Sequence, residues 1–257
     1  MHAPLRSFTV CDVQLDIKLN PDLGNGGLVW PSTFFLAEYL KHSATPIRGL
    51  SIAELGSGTG LLGIWLATQG ANVVLTDLPE LVPLLQDNVS LNMDQISKGG
   101  GSIHVEAVCW GEKADIPAAV MDCSLIVGSD LVHWIGFRLF DEDTRCLLCQ
   151  TMCTLLRCRS DKKIYVCHEI RTEQREAQFV QMINEAGLCS REERVITYSP
   201  WSASGDAPPS GFMFHGFGER ASELSRISCE GLCLTVQSST ELDGEKRDVV
   251  ILQVSSA

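Results

Sequence analysis

Short apolar runs alternate with amphipathic segments along most of the chain. Runs such as 51–55 and 72–76 are rich in aliphatic residues, as expected of strands that are buried on both faces. In longer segments such as 173–186, apolar residues recur every third or fourth position, which is the spacing of a helix with one buried face. The predicted strands are 51–55, 72–76, 102–109, 123–127 and 162–167, and the predicted helices are 61–68, 78–92, 142–158 and 173–186. This order predicts an α/β fold with a mostly parallel sheet and helices on both faces.

The two ends of the chain depart from this alternation. Residues 8–17 alternate between apolar and polar positions and predict an N-terminal strand or hairpin, and a helix begins at Pro31. Later, 198–211 is rich in turn-forming residues, while 232–236 and 249–254 predict closing antiparallel strands. We therefore predict one domain over 1–257, with a hairpin and helix (1–45), a cofactor-binding core (46–195), and a loop insert with closing strands (196–257).

The first strand of the predicted core runs into a glycine-rich turn, Glu54-Leu55-Gly56-Ser57-Gly58-Thr59-Gly60, that opens a helix. Glycine lets the backbone take positive φ and approach a ligand closely, and the N–H groups at the start of the helix point toward that ligand. Such a turn is typical of a nucleotide-cofactor site. A tight turn that binds nothing is the alternative.

Two cofactors fit the spacing of these glycines. The segment Gly58-x-Gly60-x-x-Gly63 satisfies the fingerprint of dinucleotide sites. The acid Glu54 and the additional Gly56 extend the pattern to E-x-G-x-G-x-G, and an acid beside the turn suits a cationic ligand better than a pyrophosphate. We therefore expect S-adenosylmethionine, with a nicotinamide cofactor as the alternative.

Further candidates follow other predicted strands, at the sheet edge where ligands bind in such folds. Asp77 ends the second strand and can accept hydrogen bonds from both ribose hydroxyls. Trp110, after the third strand, can stack on an adenine, and Trp30 can cover the site from a glycine-rich loop. For both indoles, a plain packing role is the alternative.

Asp130 and His133 follow the fourth predicted strand and are the candidate catalytic residues. An acid or an imidazole at this edge can orient or deprotonate an acceptor amine. The alternative is that Asp130 caps the following turn and that His133 fills a polar rim.

Charge and cysteine content narrow the function classes. The chain has 20 basic and 32 acidic side chains and a formal charge of −12, which argues against a nucleic-acid binder and is compatible with a basic protein partner. The N-terminus lacks an export signal and no long apolar run follows, so we expect a cytoplasmic protein, with the nucleus possible and no membrane contact. Eleven cysteines then predict reduced thiols. We interpret Cys146, Cys149 and Cys153 as one buried helix face rather than a metal site, and we expect no metal.

The order and spacing of these motifs resemble the protein-lysine methyltransferase-like family, also called methyltransferase family 16. The resemblance covers about residues 8 to 195 and rests on Val29-Trp30-Pro31-Ser32, the turn from Glu54 to Gly63, Thr76-Asp77-Leu78-Pro79-Glu80, Asn88-x-x-x-Asn92, Cys109-Trp110-Gly111 and Gly128-Ser129-Asp130. It implies a class I methyltransferase fold, with a Rossmann-like sheet of seven strands. It also implies cofactor contacts at Trp30, Glu54, Gly56, Ser57, Gly58, Asp77, Trp110 and Ser129.

The chain departs from the family pattern at two places. The family usually has D-x-x-Y after the fourth strand, and this chain has Asp130-Leu131-Val132-His133. After the fifth strand, His168-Glu169-Ile170-Arg171 resembles the family's aromatic-Glu-x-Arg, again with histidine in the aromatic place. The resemblance implies that Glu169 shapes the acceptor pocket.

The function expected from these residues is S-adenosylmethionine-dependent methylation of a protein amine, most simply that of lysine. The alternatives are methylation of a small molecule or of protein histidine or arginine, a cofactor-binding scaffold without turnover, and a nicotinamide-dependent oxidoreductase. The expected partner is an unidentified protein substrate, and we expect the enzyme to be a monomer.

Overall fold

The computed structural model describes residues 4–111, 116–132, 142–159, 161–170, 173–198 and 247–256. Its strands are β1 Leu5–Val10, β2 Val13–Lys18, β3 Ser51–Leu55, β4 Asn72–Asp77, β5 Ser102–Ala107, β6 Leu125–Ser129, β7 Lys163–Ile170, β8 Leu188–Tyr198 and β9 Arg247–Ser256. Its helices are a 3₁₀ segment Pro21–Gly27, α1 Pro31–His42, α2 Leu61–Thr68, α3 Val82–Leu91, α4 Met93–Gly99, α5 Ala118–Met121, α6 Glu142–Cys158 and α7 Glu173–Glu185.

The main sheet has the strand order β5-β4-β3-β6-β7-β9-β8. The pairs among β5, β4, β3, β6 and β7 are parallel, whereas β9 runs antiparallel to both β7 and β8. β1 and β2 form a separate antiparallel hairpin. The predicted α/β class, the mostly parallel sheet and the N-terminal hairpin are therefore confirmed.

Two layers of core cover the two faces of the sheet. Along β3, Ile52 packs with the hairpin, α1 and α2, whereas its neighbour Ala53 packs with α6 and α7 on the opposite face. The largest side chains of the first layer are Trp65 and Phe35, and Phe179 of α7 anchors the second; all three are fully buried. Successive residues of a strand point to opposite faces of the sheet, and both faces are covered. The strand sequences are therefore apolar throughout.

The closing strands differ from the prediction. The predicted strand at 249–254 is the centre of β9, but its outer partner is β8, in a segment that we predicted as the end of the core and not as a strand. β8 carries the charged run 191–194 and lies at the edge of the sheet, where polar residues are tolerated. The predicted strand at 232–236 and the loop at 198–211 lie almost wholly outside the described residues.

The predicted helix at 78–92 begins later and is followed by a second helix. α3 starts at Val82, and Asn92 ends it and at the same time precedes α4. The cysteine interpretation for α6 holds in part: Cys149 and Cys153 are buried in the second core layer, but Cys146 is exposed. Within the described ranges, no three histidine, cysteine or acidic side chains are grouped as a metal ion would need. None of the described helices is long and apolar enough to cross a membrane.

Candidate active site

The candidate residues converge at the carboxyl edge of the parallel strands. β3 lies between β4 and β6, and the chain fills the sheet on the β4 side first and on the β6 side afterwards. The edge beyond β3 is therefore the point where strand order reverses, and ligands of open α/β sheets bind there. The turns that follow β3, β4 and β6 meet at this point.

The glycine-rich turn needs glycine at two positions for identifiable reasons. Gly56 and Gly58 have φ values of 59° and 55°, in the left-handed region that side chains disfavour. A Cβ at Gly56 would lie 2.6 Å from Leu131 Cδ2 and 3.2 Å from Trp110 Cζ2. A Cβ at Gly58 would lie 2.9 Å from the carbonyl oxygen of Gly26. The turn is thus packed between the β5 and β6 loops on one side and the 3₁₀ segment on the other.

Several amides of this turn are already bound by groups of the protein. The Gly58 N–H donates to Asp77 Oδ2 at 2.7 Å, and the Gly63 N–H donates to Glu54 Oε2 at 3.0 Å. A dinucleotide site needs such N–H groups for its pyrophosphate. Here two acidic side chains of the protein accept these N–H groups in place of a pyrophosphate. Acids beside the turn favour a cationic ligand over an anionic one.

Glu54 lies beneath the turn and is only 1% exposed. Loss of hydration raises the pKa of its carboxyl to about 8, although the hydrogen bond from Gly63 opposes the shift, and the negative charge of Asp77 adds to it. The carboxylate form of Glu54 is therefore costly in the protein alone and would gain from a positive charge nearby. Its direct contact with a cofactor stays a prediction.

Asp77 lies at the end of β4 with both carboxyl oxygens engaged. Oδ2 accepts from Gly58, and Oδ1 accepts from the N–H of Leu78 at 2.8 Å. Burial raises the pKa of this carboxyl to about 6, against the effect of both hydrogen bonds. Each oxygen has a second lone pair, so Asp77 can still accept a ribose hydroxyl at each.

Of the two candidate tryptophans, Trp110 lies next to the turn and Trp30 is held by the 3₁₀ segment. Trp30, half-buried, is fixed by donation from its Nε1 to the carbonyl oxygen of Asn25 at 3.0 Å. Trp110 is also half-buried, lies over Gly56, and packs partly against the second core layer. The indole of Trp110 therefore combines a packing role with a face close to the turn.

Asp130 is held by two elements that are remote from it in sequence. Its backbone has φ 54°, the side chain is 3% exposed, Oδ2 accepts from the Ser32 hydroxyl, and Oδ1 accepts from the Glu169 N–H at 3.3 Å. Ser32 lies in the first turn of α1, where the helix dipole also favours a carboxylate. These bonds tie Asp130 to α1 and β7.

The neighbours of Asp130 extend this arrangement. The Ser129 and Thr33 hydroxyls are 3.1 Å apart, so two successive residues of α1 contact two successive residues at the end of β6. Glu169 is 4% exposed and lies beside Asp130. His168 packs edge-on against the ring of Phe179, with centroids 5.7 Å apart. His133 and Arg171 lie outside the described residues.

Sequence reasoning assigned no role to Ser32 and Thr33. Both are polar yet buried, at 0% and 6% exposure. The available signal was a pair of hydroxyl residues directly after the helix-starting Pro31, within the Trp30-Pro31 motif.

The amino-acid sequence matches the lysine methyltransferase family over residues 11–186, which is more than half of the chain. The chain belongs to the lysine methyltransferase family. It is 33% identical to EEF1A lysine methyltransferase 3 of Mus musculus over 168 residues, which are 65% of this chain and 66% of that protein. It is 31% identical to protein N-lysine methyltransferase METTL21A of Mus musculus over 200 residues, which are 77% of this chain and 84% of that protein.

Solved structures support the same fold for this family member. The T. Thermophilus 16S rRNA N2 G1207 methyltransferase RsmC, in complex with AdoMet and guanosine, aligns with a TM-score of 0.55 at 18% identity, over 75% of this chain and 47% of that one. The precorrin 8w decarboxylase of Methanobacterium thermoautotrophicum aligns with a TM-score of 0.50 at 14% identity, over 94% of this chain and 97% of that one. The class I methyltransferase fold is thereby confirmed.

The protein is an S-adenosylmethionine-dependent methyltransferase, and the expected cofactor is confirmed. The family assignment removes the nicotinamide alternative. The site fits this cofactor, because the acids Glu54 and Asp77 lie beside the turn and favour a positively charged ligand, and because each Asp77 oxygen has a second lone pair for a ribose hydroxyl. When bound, S-adenosylmethionine supplies a methyl carbon on a positively charged sulfur. In this chain Asp77 would hold the ribose, the Gly56–Gly58 backbone would lie against the cofactor, and Glu54 would supply negative charge.

Proposed function

We propose that this methyltransferase acts on the ε-amine of a lysine in a protein substrate. The observation that carries the proposal is the buried Asp130 carboxylate, fixed by Ser32 and by the Glu169 N–H at the edge where the cofactor turn lies. Two matching relatives are named as lysine methyltransferases of proteins, which supports the same acceptor here. The formal charge of −12 suits a lysine-rich, basic segment as partner.

Lysine methylation requires a neutral amine in line with the methyl carbon. A free lysine has a pKa of about 10.4, so its ammonium must first give a proton to water or to His133 before the nitrogen lone pair can attack. The nitrogen then forms the new C–N bond while the bond between the methyl carbon and sulfur breaks, and the electron pair of that bond stays on sulfur. Asp130 would hold the amine by accepting its N–H, which fixes the direction of attack.

The proposal also covers the class of partner, the oligomeric state and the compartment. We propose a protein partner rather than a nucleic acid, because a net negative charge opposes binding to phosphates. We also propose a monomeric enzyme that acts in the cytoplasm, with the nucleus as the second candidate compartment. Gel filtration and imaging of the tagged full chain test these two points.

The acceptor can be identified by transfer of a labelled methyl group. The purified protein is incubated with cell lysate and S-adenosylmethionine that carries a trideuterated methyl group, and the labelled peptides are sequenced by mass spectrometry. We expect label on lysine, and no label with the Asp77→Ala variant. Label confined to histidine, arginine or small molecules would overturn the lysine assignment while leaving methyl transfer intact. Cofactor binding without any transfer would favour the scaffold alternative.

A further inference from the structure

Two buried asparagines connect α3 to the N-terminal hairpin. Asn88 lies in α3 and Asn92 caps its end, one helical turn later, and their exposures are 0% and 3%. Buried amide side chains need hydrogen-bond partners, because an unsatisfied amide costs free energy. Both asparagines find these partners in the backbone of β2.

The two amide groups bind β2 in the manner of a neighbouring strand. Asn92 accepts from the Asp16 N–H at 3.0 Å and donates to the Asp16 carbonyl at 2.8 Å. Asn88 accepts from the Lys18 N–H at 2.8 Å and donates to the Lys18 carbonyl at 3.1 Å. Residues two apart in a strand and four apart in a helix are separated by similar distances, about 6 to 7 Å, so the two ladders match.

The asparagines differ in their third hydrogen bond. Asn92 donates to the carbonyl oxygen of Asn88 at 2.8 Å, within its own helix. Asn88 donates to the carbonyl oxygen of Thr59 at 2.9 Å, in the middle of the glycine-rich turn. Thr59 lies between Gly58 and Gly60 and is 3% exposed. Asn88 is thus hydrogen-bonded to both the hairpin and the cofactor turn. Of these two, Asn92 is hydrogen-bonded only to the hairpin in the described contacts.

The hairpin and the turn also approach each other through the segment that follows β2. The Asn20 N–H donates to the Gly27 carbonyl at 2.9 Å, which closes the 3₁₀ segment, and the carbonyl of Gly26 lies close to Gly58. The same segment holds the indole of Trp30 through Asn25. A displaced hairpin would therefore disturb the turn at two places.

We propose that Asn88 is a positioning residue that couples docking of the N-terminal hairpin to the shape of the cofactor turn. Binding of the cofactor then stabilises the docked hairpin, and a docked hairpin strengthens cofactor binding by the same factor, as linkage requires. The proposal rests on the cofactor of the family and does not depend on the acceptor.

Asn88→Ala and Asn92→Ala form a matched pair for the test. Each variant loses two hydrogen bonds to β2, one from a backbone N–H and one to a backbone carbonyl. Only Asn88→Ala also leaves the Thr59 carbonyl without its donor. We expect Asn88→Ala to raise the Kd for S-adenosylhomocysteine about tenfold, the effect of leaving one buried polar group unsatisfied, and Asn92→Ala to raise it less than about threefold. The Kd is measured by isothermal titration, and the loss of stability by thermal unfolding of both variants.

Equal effects of the two variants on Kd would overturn the proposal, since a merely structural role of the hairpin predicts them. Absence of binding to the wild-type chain would instead contradict the cofactor assignment. Should Asn88→Ala not fold, the pair Asn88→Asp and Asn92→Asp retains the acceptors and removes the donors, and the same inequality is expected.

Hydrogen exchange of the wild-type chain tests the coupling without any substitution. The amide hydrogens of Lys18 and Asp16 are those bound by Asn88 and Asn92, so their exchange reports hairpin docking directly. We expect S-adenosylhomocysteine to slow exchange at Lys18 together with the glycine-rich turn. Exchange at Lys18 that stays unchanged while the turn becomes protected would contradict the proposal.

Discussion

The cofactor turn and the β6–β7 edge hold their acids by different means. At the cofactor turn, Glu54 and Asp77 accept backbone N–H groups from Gly63 and Gly58, which lie 9 and 19 residues away along the chain. At the β6–β7 edge, Asp130 is bound by Ser32 and Glu169 from 98 and 39 residues away. The acids of the cofactor turn are thus held within two consecutive strand–turn units. The β6–β7 edge instead needs α1, β6 and β7 to come together from distant parts of the chain.

This difference matches the chemistry of the two regions. A cofactor shared by a whole family can be bound by a turn whose acids and amides lie close together along the chain. An acceptor site has to differ between enzymes, and side chains delivered by separate elements can change without disturbing the turn. The following experiments separate the two regions, because variants at the turn should change cofactor binding and variants at the β6–β7 edge should change turnover.

Asp130→Asn should have the largest effect. Asparagine tolerates the left-handed backbone of this position and keeps an oxygen acceptor, so the fold should persist. Loss of the charge should lower kcat about a thousandfold, within the range that orientation of the reacting groups can contribute, while the Kd for S-adenosylhomocysteine stays within about threefold. Methyl transfer to the acceptor found in lysate is the assay, and Asp122→Asn, at an exposed acid, is the control. Unchanged turnover would remove Asp130 from the reaction.

Asp77→Ala should act on the other region. It removes the acceptor of the Gly58 and Leu78 amides as well as the expected ribose contacts. We expect the Kd for S-adenosylhomocysteine to rise about a hundredfold, which corresponds to two charge-assisted hydrogen bonds. Isothermal titration measures it, with Asp94→Ala as the control at an exposed acid. A Kd equal to that of the wild type would mean that the ribose is bound elsewhere.

Sequence reasoning was most successful where structure is local. The glycine-rich turn after the first core strand, the place of Asp77 at the end of the next strand and the alternation of strands and helices depend on short-range patterns, and the structure has them as predicted. β8 was missed because a charged edge strand lacks the apolar pattern of a buried one. The partners of Asp130 could not be predicted, because no pattern near residue 130 indicates that Ser32 lies beside it.

The same limit applies to spacing within helices. Cys146, Cys149 and Cys153 have helical spacing, but only the last two face the core, because Cys146 lies at the border of the buried stripe. Asn88 and Asn92 also have helical spacing, and asparagine is mostly an exposed residue in proteins. Their burial follows from the hairpin that packs across α3, which only the three-dimensional arrangement reveals.

Glu54→Gln should alter the pH dependence of stability. The folded-state pKa of Glu54 is raised to about 8, so between about pH 5 and 8 the folded chain keeps a proton that the unfolded chain has lost. The free energy of unfolding therefore falls as pH rises through this range, by at most about 1.4 kcal/mol per pH unit for one proton. Asp77, raised to about 6, adds the same trend below pH 6.

Glutamine resembles the protonated acid and keeps the acceptor for the Gly63 amide, so the variant should lose the slope between pH 6 and 8 and keep, below pH 6, only the part that Asp77 contributes. Urea unfolding at a series of pH values measures both. A wild-type slope that persists between pH 6 and 8 in Glu54→Gln would show that another group takes up the proton.

The smallest effects are expected at the first turn of α1, where adjacent residues contact the candidate catalytic acid and an expected cofactor contact. Ser32 donates to Asp130, whereas the Thr33 hydroxyl contacts that of Ser129, an expected cofactor contact. Ser32→Ala should therefore lower kcat about fivefold with little change in Kd, since one hydrogen bond to a carboxylate is lost. Thr33→Val, similar in shape, should raise the Kd about threefold with little change in kcat. Both kcat and Kd are measured for both variants. If each variant changed kcat and Kd in parallel, α1 would support the fold as a unit and would not act separately on Asp130 and Ser129.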